Sequence, residues 1–230
     1  MCPAPGSFAG MLFENLLEVL DPEPHGAALN MAIDEALLRS AGQPLLRCYL
    51  WKHPAISFGY FEKISALGGL APGWEMVRRW TGGGVVEHGA DVTYTLTVPA
   101  AHPFARLGAP ESYRLIHAEI AALLAERGTV AHLAEAAAQK VSTDCFENAA
   151  EADVLAAGRK IAGAAQRRTR WGLLHQGSIQ GLTLGAGFAA QLALRFAPEI
   201  RQRPLSEAER VAGAVIAAEK YATEAWLRRF

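Results

Sequence analysis

The sequence predicts one large domain of the α/β class, and three observations carry that expectation. Apolar residues recur at helical spacing over residues 26–40 and 111–127, whereas residues 92–98 alternate strictly between Val, Tyr or Leu and Thr, the period of a strand. A chain of 230 residues with 51% hydrophobic and 20% charged content can bury one substantial core. Residues 1–12 read as a loose N-terminal tail, since the first ten hold two prolines and no charged stretch followed by an apolar one, and residues 13–230 read as a single domain. A net charge of −1 gives no general attraction to nucleic acid or an anionic membrane, so neither is an expected partner. No apolar run approaches the ~20 residues a bilayer span needs. Cys2, Cys48 and Cys145 are too far apart for a disulfide framework or a zinc site, which fits a reducing cytoplasm and no metal.

The elements follow in order. Over 26–40, Ala28, Met31, Ala32, Ala36 and Leu37 mark an apolar helix face, with Asp34 and Glu35 between them. Residues 45–51 and 55–61 are two β-rich runs separated by His53-Pro54. Gly59, inside the second, implies close approach of a neighbouring chain or a ligand, or a bulge. Residues 75–80 read as strand, 92–98 as a strand with one buried face, 99–110 as a Pro-rich loop and 111–127 as a long helix. Residues 133–141 are alanine-rich and fit a short helix or a mobile loop. Further helices are expected at 188–196, 205–219 and 222–229, which leaves no room for a second domain.

Chemistry concentrates in two stretches. Arg78 and Arg79 are followed by Trp80, Thr81 and the triplet Gly82, Gly83 and Gly84, inside sequence that otherwise forms strands. Three glycines there weaken a strand, so they imply a bend or something lying against the backbone. The arginines bring positive charge and His88 a titratable ring to the same segment. In the second stretch, Val154-Leu155, a turn at Ala157-Gly158-Arg159 and the run Lys160 to Ala165 read as a β-hairpin. Its second strand begins with a lysine and continues with Ile161, Ala162, Gly163, Ala164 and Ala165. Such a strand leaves space for a thin ligand and sets a cation at one end, although a solvated turn lysine has the same spelling.

Together, Asn30-Met-Ala-Ile-Asp-Glu-Ala-Leu-Leu, Arg78-Arg-Trp-Thr-Gly-Gly-Gly-Val-Val-Glu-His, Gly158-Arg-Lys-Ile-Ala-Gly-Ala-Ala-Gln-Arg-Arg and His175-Gln-Gly-Ser-Ile resemble the lipoate-protein ligase and octanoyltransferase family. The resemblance implies a mixed β-sheet flanked by helices, related to the catalytic domain of biotin protein ligases. It implies that Arg78, Arg79, Thr81, the three glycines, His88, Gly163, Ala164, Ala165 and His175 border an acyl-binding site. It also implies that the acceptor is a lysine of a lipoyl domain, in a 2-oxoacid dehydrogenase or the H protein of glycine cleavage.

Cys145 followed by Phe146, with Lys160 downstream, is similar to the cysteine-dependent octanoyltransferases. These take octanoate from acyl carrier protein onto the cysteine and need no cofactor, whereas the ligases use ATP and Mg to make an acyl-adenylate. A free thiol, with pKa near ~8.5, needs a nearby cation to act as a nucleophile, and Lys160 is the expected one. Backbone N–H groups at 163–165 are expected to hold the oxyanion, and Arg78, Arg79, Arg167, Arg168 and Arg170 to meet an acidic partner. An ATP-dependent ligase, an amidotransferase between lipoyl domains and a non-catalytic acyl-binding module remain as rivals. Gly84 stands where such transferases often carry arginine, and Gly89-Ala90-Asp91 where ligases carry Leu-Gly-Asn.

Overall fold

The alternating segment at 92–98 becomes β6 (Val92–Pro99), in the middle of an eight-stranded mixed sheet. This computed structural model describes residues 11–66, 73–137, 149–185 and 187–230. On one side of β6 lie β2 (Leu45–Tyr49), β1 (Asn15–Leu20) and β11 (Glu199–Pro204). On the other lie β10 (Gly172–Ile179), β9 (Arg159–Thr169), β8 (Val154–Ala156) and β7 (Ala131–Leu133). β1 runs parallel to both neighbours, and the remaining pairs are antiparallel. A second sheet of three strands has β3 (Ala55–Phe58) between β4 (Glu75–Arg78) and β5 (Val85–His88).

Helices α2 (Ala109–Glu126) and α3 (Phe188–Phe196) cover one face of the large sheet, where Ile116, Ile120, Leu124, Leu192 and Phe196 pack with Tyr94, Leu96 and Val98 of β6. Helices α1 (Ala27–Ser40) and α4 (Glu207–Ile216) pack together, and Ile33 and Leu37 of α1 meet Val19 and Leu45 on the opposite face. Burying one such Leu or Ile side chain contributes about 1.5–3 kcal/mol.

Several expectations need correction. β6 was expected to have one buried face, yet Thr93, Thr95 and Thr97 are also buried; Thr95 donates to Asp34 Oδ2 of α1 at 2.7 Å, and Thr93 sits between Trp51 Nε1 and Asp91 Oδ2, at 2.7 Å from each. Asp34 and Glu35 are not the wet side of an amphipathic helix. Both are fully buried, Asp34 against Arg47 at 2.7 Å and Glu35 against Lys220 and Tyr221 at 2.6 and 2.7 Å. Leu12 belongs to the core rather than to a tail ending at residue 12, being 2% exposed. Residues 131–133 form edge strand β7, and 138–141 lie outside the described residues. The helix expected over 205–219 begins at Glu207, behind a capping box of Ser206 and Glu209, and gives way to a π-turn at Ala217–Tyr221. The last helix shrinks to α5 (Glu224–Leu227).

Candidate active site

The glycine triplet joins β4 to β5 and folds back over β3. A Cβ on Gly59 would land on the Gly83 carbonyl, so Gly59 serves close approach of a neighbouring chain. Gly83 has φ of +84°, where a side chain is strained, while a Cβ on Gly82 would meet open space. The loop is held from inside. Arg79 donates through Nη2 to the Gly82 and Gly84 carbonyls at 3.1 and 2.8 Å, and through Nη1 to Ser57 Oγ at 2.7 Å. Thr81 donates to Gln176 Oε1 at 2.9 Å, and Gln176 in turn donates to Asp34 Oδ2 at 2.7 Å.

Lys160 points inward and is not a solvated turn residue. Its Nζ lies 2.7 Å from Asp153 Oδ2, and its side chain is 6% exposed. Asp153 also accepts from the Tyr113 hydroxyl at 2.5 Å and from the Ala150 N–H at 2.6 Å. The small residue at 163 makes room for the lysine itself, since a Cβ there would come within 2.6 Å of Nζ and 3.2 Å of Asp153 Oδ1. This corrects the expectation that the whole run 160–165 leaves space for a ligand. Ala164 N–H donates to Tyr113 Oη at 2.9 Å, so that amide, expected to hold an oxyanion, is already engaged.

Two cavities meet at Gly83, Ala164 and Ala165, which line both. The narrower one, a slot of about 470 Å³, runs past Met31, Tyr49, Trp51, Ser57, Val86, His88 and Lys160. The wider, about 1170 Å³, is bordered by Gly82, Pro110, Tyr113, Arg114 and Ala150–Ala152. His88 lines the slot, stacked on Trp51 with ring centroids 4.0 Å apart. Burial holds its imidazole below the ordinary value, against the raising effect of Asp91.

Other expected site residues are placed differently. His175 is buried on the α2 side of β10, between Tyr94 Oη at 3.1 Å and Gln166 Nε2 at 3.0 Å, and lines neither cavity. Burial pushes its imidazole well below the ordinary value. Arg78 does not face a partner. Fully buried, it donates to the Tyr60, Glu62 and Leu227 carbonyls at 2.7, 2.6 and 2.8 Å, tying the C-terminus to the segment after β3. Arg79 is 6% exposed and equally inward, and Arg167 is half-buried against Tyr60 and Trp80, which leaves Arg168 and Arg170 as the exposed members of the arginine set. Cys145 and Cys2 lie outside the described residues, while Cys48 is a core thiol that burial pushes up to about 12.

Reading the sequence missed Ser57, Asp91, Asp153, Tyr113 and Gln176. Asp153 carried a local signal, as an acidic residue directly before a hairpin whose second strand brings a lysine back beside it, and Gln176 and Asp91 stood inside quoted motifs without being singled out. Among the described residues, no group of three His, Cys, Asp or Glu is placed to hold a metal ion. No helix among them is long and apolar enough to cross a membrane.

The same architecture occurs in solved proteins. Lipoate-protein ligase A bound with ATP superposes with a TM-score of 0.75 at 19% identity, covering 94% of this chain and 99% of that one. A bi-partite lipoate protein ligase from Thermoplasma acidophilum, studied with its E2 lipoyl domain, gives 0.62 at 19% identity over 94% and 96% of the two chains. In sequence, the chain is 38% identical to octanoyltransferase LipM of Kyrpidia tusciae over 66% of its own length and 61% of that protein. It is 37% identical to the Oceanobacillus iheyensis octanoyltransferase LipM over 70% and 62% of the two. The chain thus spans about three-fifths of the length of these relatives. With the large mixed sheet, the glycine loop and the inward lysine in place, and with residues 26–186 matching the family described as the lipoyl protein ligase A/B catalytic domain, the chain belongs to that family.

Proposed function

We propose that the protein transfers an octanoyl group from an acyl carrier protein thioester to a lysine amine of a lipoyl domain, through a thioester on Cys145. The observation that carries this reading is the 33–38% identity to octanoyltransferases of several bacteria. The site agrees with it chemically, because a buried cation beside a narrow slot is what a thiolate nucleophile requires. In this reading the acyl chain lies in the slot, between the glycine loop at Thr81–Gly84 and the strand at Gly163, Ala164 and Ala165, and Arg79 and His88 form its wall. The Cys145 thiolate attacks the donor carbonyl, and the carrier sulfur leaves as a thiol with a proton from the Lys160 ammonium, which becomes a neutral amine. The acceptor amine then attacks the new thioester, gives up a proton to Lys160 and releases Cys145. No nucleotide or metal enters. The acceptors are lipoyl domains of 2-oxoacid dehydrogenases or the glycine cleavage H protein, and the setting is cytoplasmic. Exposed Arg168 and Arg170 are suited to an acidic partner.

The test offers the protein octanoyl carrier without ATP, and separately octanoate with ATP and Mg²⁺, each with a lipoyl domain. Transfer from the carrier alone, with an octanoyl adduct on Cys145 that Cys145→Ser lacks, is the expected result. Pyrophosphate release from the free acid, with full activity in Cys145→Ser, would replace this reading with the ligase.

A further inference from the structure

Ser57, His88 and Asp91 form a hydrogen-bonded row on the wall of the slot, separate from Lys160 and Asp153. Ser57 Oγ is 2.6 Å from His88 Nε2, and His88 Nδ1 is 2.8 Å from Asp91 Oδ2. The proton positions follow from Asp91, whose carboxylate can only accept, so a neutral His88 carries its hydrogen on Nδ1. Arg79 Nη1 donates to Ser57 Oγ at 2.7 Å, and the hydroxyl gives its own proton to His88 Nε2. Nε2 is therefore bare, and Nδ1 carries the hydrogen given to Asp91.

The row is also held rigid. Asp91 Oδ2 accepts from the Thr93 and Ser178 hydroxyls at 2.7 Å each, and Trp51 lies within 15° of parallel to the imidazole. Burial lowers His88 and favours its neutral form, whose Nε2 lone pair faces the Ser57 hydroxyl. A hydroxyl bonded to a base that a buried carboxylate orients is the arrangement by which serine hydrolases make a nucleophile, and it is recognised by geometry rather than by order in the chain. Arg79 adds a fixed positive charge beside the attacking oxygen.

We propose that Ser57 is a second nucleophile in this protein, one that hydrolyses esters and thioesters of unbranched fatty acids. The substrate class follows from the slot, which offers an acyl chain the apolar side chains of Met31, Trp51, Val86, Ala164 and Ala165. Ser57 Oγ forms a bond to the acyl carbon while its proton passes to His88 Nε2. The bond from that carbon to the leaving oxygen or sulfur breaks, and the leaving atom takes the proton from Nε2. Water then repeats the sequence, with its proton passing through His88 to Ser57, and the free acid departs.

This activity does not use Cys145, so the test is made in a Cys145→Ala chain, which loses the transfer proposed above. An alkyl fluorophosphonate should add covalently to Ser57, located by peptide mass mapping, and His88→Asn should slow labelling by about 10²–10⁴-fold, the range of a lost general base. The same chain should hydrolyse p-nitrophenyl octanoate, and Ser57→Ala added to it should remove that hydrolysis. Absence of the label from Ser57, a labelling rate indifferent to His88→Asn, or hydrolysis untouched by Ser57→Ala would each overturn the proposal. Where Ser57→Ala does not fold, the labelling of Ser57 decides alone.

Discussion

Adding one methyl group at Gly163 should displace Lys160 while leaving the fold standing. An alanine Cβ there would come within 2.6 Å of Lys160 Nζ and closer still to Cε, both too short for non-bonded atoms, and 3.2 Å from Asp153 Oδ1, a tight contact. The backbone at 163 is paired with Ser178 in the sheet and cannot retreat, so the lysine chain must rotate and leave its 2.7 Å contact with Asp153. Asp153 keeps Tyr113 and the Ala150 amide as donors, so its carboxylate is not stranded. The stability cost should therefore match mild overpacking, about 1–3 kcal/mol. For a chain of this size that corresponds to about 2–4 °C in Tm per kcal/mol. The catalytic cost should be larger, since a catalytic group moved by ~1 Å can lose about 10² in rate. Octanoyl transfer and thermal unfolding, measured on wild type, Gly163→Ala, Lys160→Ala and the double variant, separate the two effects. Removing the lysine removes the atoms the methyl meets, so the double variant should show a coupling of about 0.5–3 kcal/mol in stability. Wild-type transfer by Gly163→Ala, or purely additive stabilities, would refute the placement of Lys160.

Three further outcomes are expected. The two-residue turn between β8 and β9 has φ of 48° at Ala157 and 73° at Gly158, the hairpin geometry that favours Asn-Gly, so Ala157→Asn should stabilise the protein by about 1 kcal/mol in urea unfolding, and a lower midpoint would contradict that geometry. His117 is fully buried and desolvation lowers it from 6.5 to about 4, so the unfolded chain binds its proton first; stability is whole above pH 6.5 and falls as pH drops toward 4, and His117→Phe should make Tm depend less steeply on pH in that window. An unchanged slope would place the effect in other histidines. Arg78→Lys should lower Tm and expose the C-terminus to protease, since an ammonium cannot reach the Tyr60, Glu62 and Leu227 carbonyls together, while leaving the KM for a carrier unchanged; a raised KM with normal Tm would return Arg78 to partner binding.

What could be read in advance was governed by local pattern. Helix α2 and strand β6 follow from period alone, because their apolar residues all face one core, and the β8–β9 hairpin follows from its Gly and small residues. Strands β1 and β11 escaped for opposite reasons. β1 is a short mixed run, and β11, Glu-Ile-Arg-Gln-Arg-Pro, is a largely exposed edge whose pairing with β1 is decided by backbone bonds rather than side-chain burial. The motif residues were found, but several of their directions were not. Arg78 and Arg79 sit side by side in sequence like a surface patch, yet β4 sends them inward on opposite sides, one to the C-terminal carbonyls and the other to the glycine loop. The partners Ser57, Asp91 and Asp153 act only through contacts that tertiary structure creates.

The glycine loop itself shows why periodicity is a weak guide near a site. Its outer side is bordered by cavity, so it cannot be held by packing there, and the restraint has to come from beneath. That restraint is a chain of polar groups. Arg47 donates to Asp34 Oδ1, Asp34 Oδ2 accepts from Tyr49, Thr95 and Gln176, and Gln176 passes the connection to Thr81 at the foot of the loop. Four donors serve this one buried carboxylate, one at Oδ1 and three at Oδ2, so losing any member leaves charge or a donor less well matched in the core. A carboxylate in mid-helix has reason to be buried only if something like this surrounds it. Asp34 and Glu35, which a helical wheel assigns to solvent, are held inside because α1 supports the polar floor of the site on one flank and the C-terminal turn at Lys220 and Tyr221 on the other.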